Sequence, residues 1–121
     1  MTQLLDTLAL IIYCSFIYWL SDQPSVPVPM WFDHQDKLYH GGAYFIMAIL
    51  TWRLFRHFTA KPWLIGILAF IFCSLFGLSD EWHQSFVAGR YADLADWLAD
   101  SVGAMIGIMV IYRLTSRTRI R

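Results

Sequence analysis

Three short polar motifs interrupt an otherwise apolar chain: Asp36-Lys37-x-x-His40, Glu81-x-x-Gln84, and Arg90-x-x-Asp93-x-x-Asp96-x-x-x-Asp100. Carboxylates beside an imidazole are the parts of general acid–base chemistry. A histidine titrates near neutral pH, and a neighbouring carboxylate fixes its tautomer. Lysine or arginine in the same set can hold a phosphate or carboxylate group. His40, Glu81 and Asp96 are therefore candidate catalytic residues. Lys37, Gln84, Arg90, Asp93, Asp100 and Asp36 are candidate binding residues. A divalent metal on His40, Glu81 and Asp96 stays open, but their spacing matches no dedicated ligand motif and no metal ligand is assigned. The sequence names no cofactor.

The elements that position these residues are set by composition. Hydrophobic residues make up 58% of the 121 and charged residues 15%, against about 45–50% and about 25% in soluble domains. A soluble chain this small has nowhere to hide that surface; a bilayer does. Four apolar runs predict helices at about 4–20, 37–55, 62–84 and 93–112, each near the length of roughly 20 residues that a span needs. The expected fold is an all-α membrane protein, a single domain over 1–121 built as a four-helix transmembrane bundle. The second and fourth runs reach full length only by taking in charged residues, and an ionisable residue within a span is a functional-site hypothesis by default. The first run has no basic stretch before it and no cleavage site after it, so it reads as a retained helix. Cys14 and Cys73 both sit in apolar runs and read as free thiols. Pro24, Pro27 and Pro29 exclude a regular helix between the first two spans.

Orientation follows from the basic residues. Arg53, Arg56, Lys61, Arg113, Arg117, Arg119 and Arg121 fall on one side, and only Lys37 and Arg90 on the other. The positive-inside rule puts both termini in the cytoplasm. The polar motifs then face outward, while Asp6 alone of the acidic residues lies inside. His40 stands 13 residues before Arg53, and Asp100 stands 13 before Arg113. Helix rise puts both about 20 Å above the inner surface. Asp36 and Asp96 lie about 25 Å up and Glu81 about 30 Å. Asp93, Asp96, Asp100, Gly103 and Gly107 recur at three- and four-residue steps and share one helix face. Glycines four apart allow close helix approach, so the same face should turn its carboxylates inward. Lys37 should pair with Asp96 or Asp93, and Arg90 should swing over the top. The bland readings stand beside these. Asp93 can be a helix cap, and Lys37 can snorkel. Tyr39, Tyr44, Trp82, Tyr91 and Trp97 read as interface anchors and packing. His83 lies off the Glu81–Gln84 face and takes no part.

Asp36-Lys37-x-x-His40, Glu81-x-x-Gln84-x5-Arg90 and Asp93-x-x-Asp96 followed by Gly103 resemble the VanZ-like family of small bacterial membrane proteins. The resemblance covers about residues 36–111 and departs at Asp100, where the family commonly has Asn. It implies a cell-envelope protein of the bacterial cytoplasmic membrane. It also implies a link to glycopeptide susceptibility, since the family's namesake is associated with low-level teicoplanin resistance.

Two main functions compete. In the first, an outer-leaflet polar site binds or processes an envelope lipid or lipid-linked precursor. In the second, the cluster is a closed network that only fixes helix packing or a partner contact. Whether the chain is an enzyme stays open. An ion path is disfavoured because the inner halves of the helices lack ionisable residues. Expected partners are a membrane lipid or lipid-linked envelope precursor and, optionally, a second copy of the chain. With a formal net charge of zero, no nucleic-acid partner is expected. A cavity at the cluster separates the first function from the second.

Overall fold

A computed structural model of the chain describes residues 2–26 and 28–118, without the side chains of residues 117 and 118. Pro27 of the linker, and Arg119 and Arg121 of the basic count, lie outside the described residues, as does the Arg117 side chain. Among the described residues there are four helices and no strand: α1 (Gln3–Ser21), α2 (Gln35–Phe55), α3 (Pro62–Gln84) and α4 (Leu94–Thr118). Thr2 starts α1 by accepting the Leu5 N–H through its hydroxyl. Pro62 stands in the first turn of α3, where its missing N–H costs nothing. Asp93 opens α4 by accepting the Ala95 N–H at 2.8 Å. Gln35 accepts the Trp31 N–H at 2.8 Å and donates to the Pro29 carbonyl at 2.9 Å, tying the irregular linker to the start of α2. α4 continues to Thr118, past the expected end at 112. The apolar pattern stops at the membrane, but no residue of 113–118 breaks a helix.

α1, α3 and α4 are long and apolar enough to cross a membrane. α2 begins with Gln35-Asp36-Lys37 and carries Arg53; it is not among these candidate spans. Yet α2 touches all three other helices, α4 most extensively, whereas α1 and α4 do not meet. The more polar helix is thus the one the others cover, the arrangement expected where ionisable groups must be kept from lipid. Its Tyr44, Met47, Ala48 and Trp52 form the core with Leu10, Ile17, Ala69, Cys73, Ala104 and Ile108. Large apolar side chains such as Ile12, Leu75 and Leu98 point outward on the other helices.

α2 and α4 run parallel and nearly touch. A Cβ placed on Gly103 comes within 2.6 Å of the Gly41 backbone, and one on Gly107 within 2.7 Å of the Phe45 carbonyl oxygen. Only hydrogen fits at either contact.

Two sequence expectations are corrected. The end of the bundle that carries the basic loop, expected to lack ionisable residues, does contain a buried ionisable cluster. Asp6, 2% exposed, meets Arg53 at 2.9 Å and His57 at 2.8 Å, pinning α1 to the end of α2. The signal was an acid in the first turn of an apolar helix, on the side that carries the basic loop. Among the described residues, Met47, Ala48, Ala69, Cys73 and Ala104 fill the space between this cluster and the one at the other end of the bundle. His83, read as incidental, stacks on Tyr18 with ring centroids 4.4 Å apart and meets Asp22 at 3.1 Å, fastening α3 to the end of α1. It lies off the Glu81–Gln84 face because it serves the opposite neighbour.

Candidate functional site

The N-terminal ends of α2 and α4 and the C-terminal end of α3 bring the three motifs together. Lys37 Nζ lies 2.5 Å from Asp96 Oδ1, 2.8 Å from Asp93 Oδ2 and 2.9 Å from Asp36 Oδ2. Both expected partners are therefore used, and the ammonium is clamped by three carboxylates. The Lys37 ammonium holds the Asp93 carboxyl below the usual carboxylate range, helped by the Ala95 N–H. Asp93 is cap and ion-pair partner at once, one oxygen for each task.

One turn deeper, His40 Nδ1 is 3.0 Å from Asp100 Oδ1, and His40 Nε2 is 3.7 Å from Asp96 Oδ2. Asp100 is fully buried. Gly77 of α3 makes room for it, since a Cβ there would stand 3.1 Å from Asp100 Oδ2. Glu81 Oε2 accepts the Asp93 N–H at 2.8 Å, which locks the turn before α4 to α3. His40, Glu81 and Asp100 each offer a donor atom, and these atoms lie within 4.8 Å of one another. Arg90 reaches back to donate to Gln84 Oε1 at 2.8 Å, and Gln84 Nε2 donates to Asp80 Oδ2 at 3.3 Å. Arg90 makes no ion pair among the described residues.

A cavity of about 670 Å³ opens at this end of the bundle. One wall is polar, with Lys37, His40, Asp80, Gln84, Arg90 and Asp96. Asp36 and Asp93 stand at the same opening. The other wall is apolar: Ile17 and Leu20 of α1, Ala43 of α2, and Val26, Val28 and Met30 of the proline-containing linker. The loop before α4 meets that linker at Gly89, whose φ of 84° suits glycine, beside Pro24. Glu81 does not line this cavity. It borders a separate apolar groove of about 680 Å³ between α3 and α4, with Leu75, Leu78, Trp82, Leu94 and Trp97. Of the nine site residues expected from sequence, eight line the cavity or, in the case of Asp100, touch His40 at its base; Glu81 reaches His40 from the side.

Three buried polar atoms have no hydrogen-bond partner among the described residues, Tyr44 Oη, Glu81 Oε1 and Asp100 Oδ2, while Ser21 Oγ and Asp80 Oδ1 lie buried beside each other without ordinary hydrogen-bond geometry. Leaving such groups unsatisfied is costly. The network is therefore not self-satisfied. Asp80, Tyr44 and Ser21 were missed as members. For Asp80 the signal was present: Ala69, Cys73, Gly77, Asp80 and Gln84 recur at three- and four-residue steps and form the buried face of α3. Tyr44, read as an anchor or packing residue, is an interior group at 1% exposure.

A family model described as VanZ/LLP1 matches residues 7–115. No curated protein and no solved structure matches the chain.

Proposed function

Because the chain belongs to the VanZ/LLP1 family, we propose that its cavity binds or processes an envelope lipid or lipid-linked precursor at the outer leaflet of a bacterial cytoplasmic membrane. All four helices span in this reading, and both termini are cytoplasmic. The supporting observation is the cavity itself, whose lining joins apolar residues of α1 and the linker to charged residues and to the buried oxygens of Ser21, Tyr44 and Asp80. That is the shape of a site for an amphiphile. The apolar wall takes the chain. Arg90 holds an anionic headgroup, because Lys37 is already neutralised by three carboxylates. At the base, His40 is the protonatable group, oriented by Asp96 and Asp100, with Glu81 beside it. The Lys37 cluster itself serves packing, so the second function keeps a share of the network without explaining the unpartnered oxygens.

Two measurements test this reading. A periplasm-active alkaline phosphatase fused after Arg121 should be inactive; activity there would invert the topology and place the cavity on the wrong side. Native mass spectrometry of the purified protein should show a retained anionic lipid. Arg90→Gln should weaken retention about 10- to 100-fold, the equivalent of losing one charge-assisted hydrogen bond of about 1.5–3 kcal/mol. Equal retention by both proteins would remove Arg90 from the site, and no retained amphiphile in either would remove the lipid reading. Teicoplanin susceptibility of cells carrying each form is the envelope phenotype to follow alongside.

A further inference from the structure

We infer that His40, Glu81 and Asp100 form a binding site for a first-row divalent cation of the Zn²⁺ or Mn²⁺ kind. Each comes from a different helix, and their donor atoms lie within 4.8 Å of one another. A tetrahedral ion with bonds of about 2.0–2.2 Å holds its donors about 3.3–3.6 Å apart. Side-chain rotation closing these donors by up to about 1.5 Å would seat it. One imidazole and two carboxylates form a donor set that such ions accept.

Two further observations point the same way. Glu81 is 4% exposed and Asp100 0%, and each keeps one carboxylate oxygen without a hydrogen-bond partner among the described residues. A buried carboxylate in that condition takes up a proton or a cation. The local charges do not supply one. Lys37 is taken up by Asp36, Asp93 and Asp96, and Arg90 is spent on the neutral Gln84. A neutral or singly protonated His40 cannot balance both Glu81 and Asp100; a divalent ion can. The surroundings also suit a metal-bound imidazole. With Nδ1 turned to the ion beside Asp100, Nε2 faces Asp96 Oδ2 at 3.7 Å. A second carboxylate in that position commonly orients a ligating histidine.

The ion is held whether or not an amphiphile lies in the cavity, so this inference stands apart from lipid binding; an ion-bound His40, with both ring nitrogens engaged, no longer serves as the protonatable group. The test is metal content of the purified, tag-free protein by mass spectrometry, then the melting temperature of chelator-treated protein with Zn²⁺, Mn²⁺ or Mg²⁺ added. About one equivalent retained or rebound, and a melting temperature raised by Zn²⁺ or Mn²⁺ more than by Mg²⁺, is expected. Glu81→Gln and Asp100→Asn should abolish both effects. Asp96→Asn should keep the ion but bind it about 10- to 100-fold more weakly. If the first two variants do not fold, the electron paramagnetic resonance spectrum of Mn²⁺ on the unaltered protein decides. Coupling to one imidazole nitrogen supports the site, and its absence overturns it. No metal and no thermal shift in the unaltered protein overturns the inference, as does undiminished binding by folded Glu81→Gln and Asp100→Asn. A lipid retained by metal-free protein would leave the proposed function intact.

Discussion

Gly103→Leu is expected to abolish the folded protein. The position leaves no room for any side chain, because even a single Cβ would stand 2.6 Å from the Gly41 backbone. Backbone cannot step aside as a flexible side chain does, so α2 and α4 must separate. Ordinary overpacking costs about 1–3 kcal/mol, and Gly103→Ala should lie at or beyond the top of that range. Leucine adds three more carbons at the same point and breaks every cross-helix contact above it, including His40 with Asp100 and Lys37 with Asp96. Gly42→Ala is the control. A Cβ there meets nothing within 4 Å, and alanine favours helix by about 0.8–1 kcal/mol. Thermal unfolding in detergent, with membrane content by immunoblot, reads both. A stable Gly103→Leu protein would show that the two helices do not pack through this contact.

Lys37→Met should be the most damaging change among the polar residues. It leaves Asp36, Asp93 and Asp96 crowded around an absent cation, and Asp96 is only 13% exposed. Removing one partner of a buried pair costs about 3–5 kcal/mol; a loss of about 3 is expected here, since the Lys37 side chain keeps 24% exposure. Asp96→Asn in the same protein should recover part of the loss, because the stranded charge is then reduced. A double-mutant cycle on melting temperature reports this coupling directly. Strict additivity of the two changes would mean that Lys37 and Asp96 do not depend on each other.

Depth and face were the legible parts of the site. His40 and Asp100 lie equally far from an arginine on helices that run parallel, so counting residues was enough to predict that they share a level. The three- and four-residue steps from Asp93 to Gly107 identified the inward face of α4, and Gly41 and Phe45 confirm what that face meets. What single helices could not reveal was partnership across helices. Glu81 shares the level of the cluster, yet it approaches from the α3–α4 groove. That depends on how α3 is rotated about its axis, and its buried small residues fix the rotation only once the neighbouring helices are present. Asp6 and His83 were undervalued for the same reason, since each gains its meaning from a partner more than forty residues away in sequence. The helix-four boundary was misplaced because membrane depth and helix length are set by different forces.

The three-carboxylate clamp on Lys37 also bears on the order in which the chain can be built. α2 leaves the ribosome carrying Asp36, Lys37 and His40, and it is not apolar enough to count among the candidate spans. The groups that neutralise Lys37 and receive His40 lie mainly at 93, 96 and 100, two helices later in the chain. In the four-span arrangement proposed above, independent insertion of each helix followed by lateral association would describe this chain poorly. The second helix would be held at depth only when the fourth arrives beside it, and membrane integration and tertiary folding would be one cooperative event.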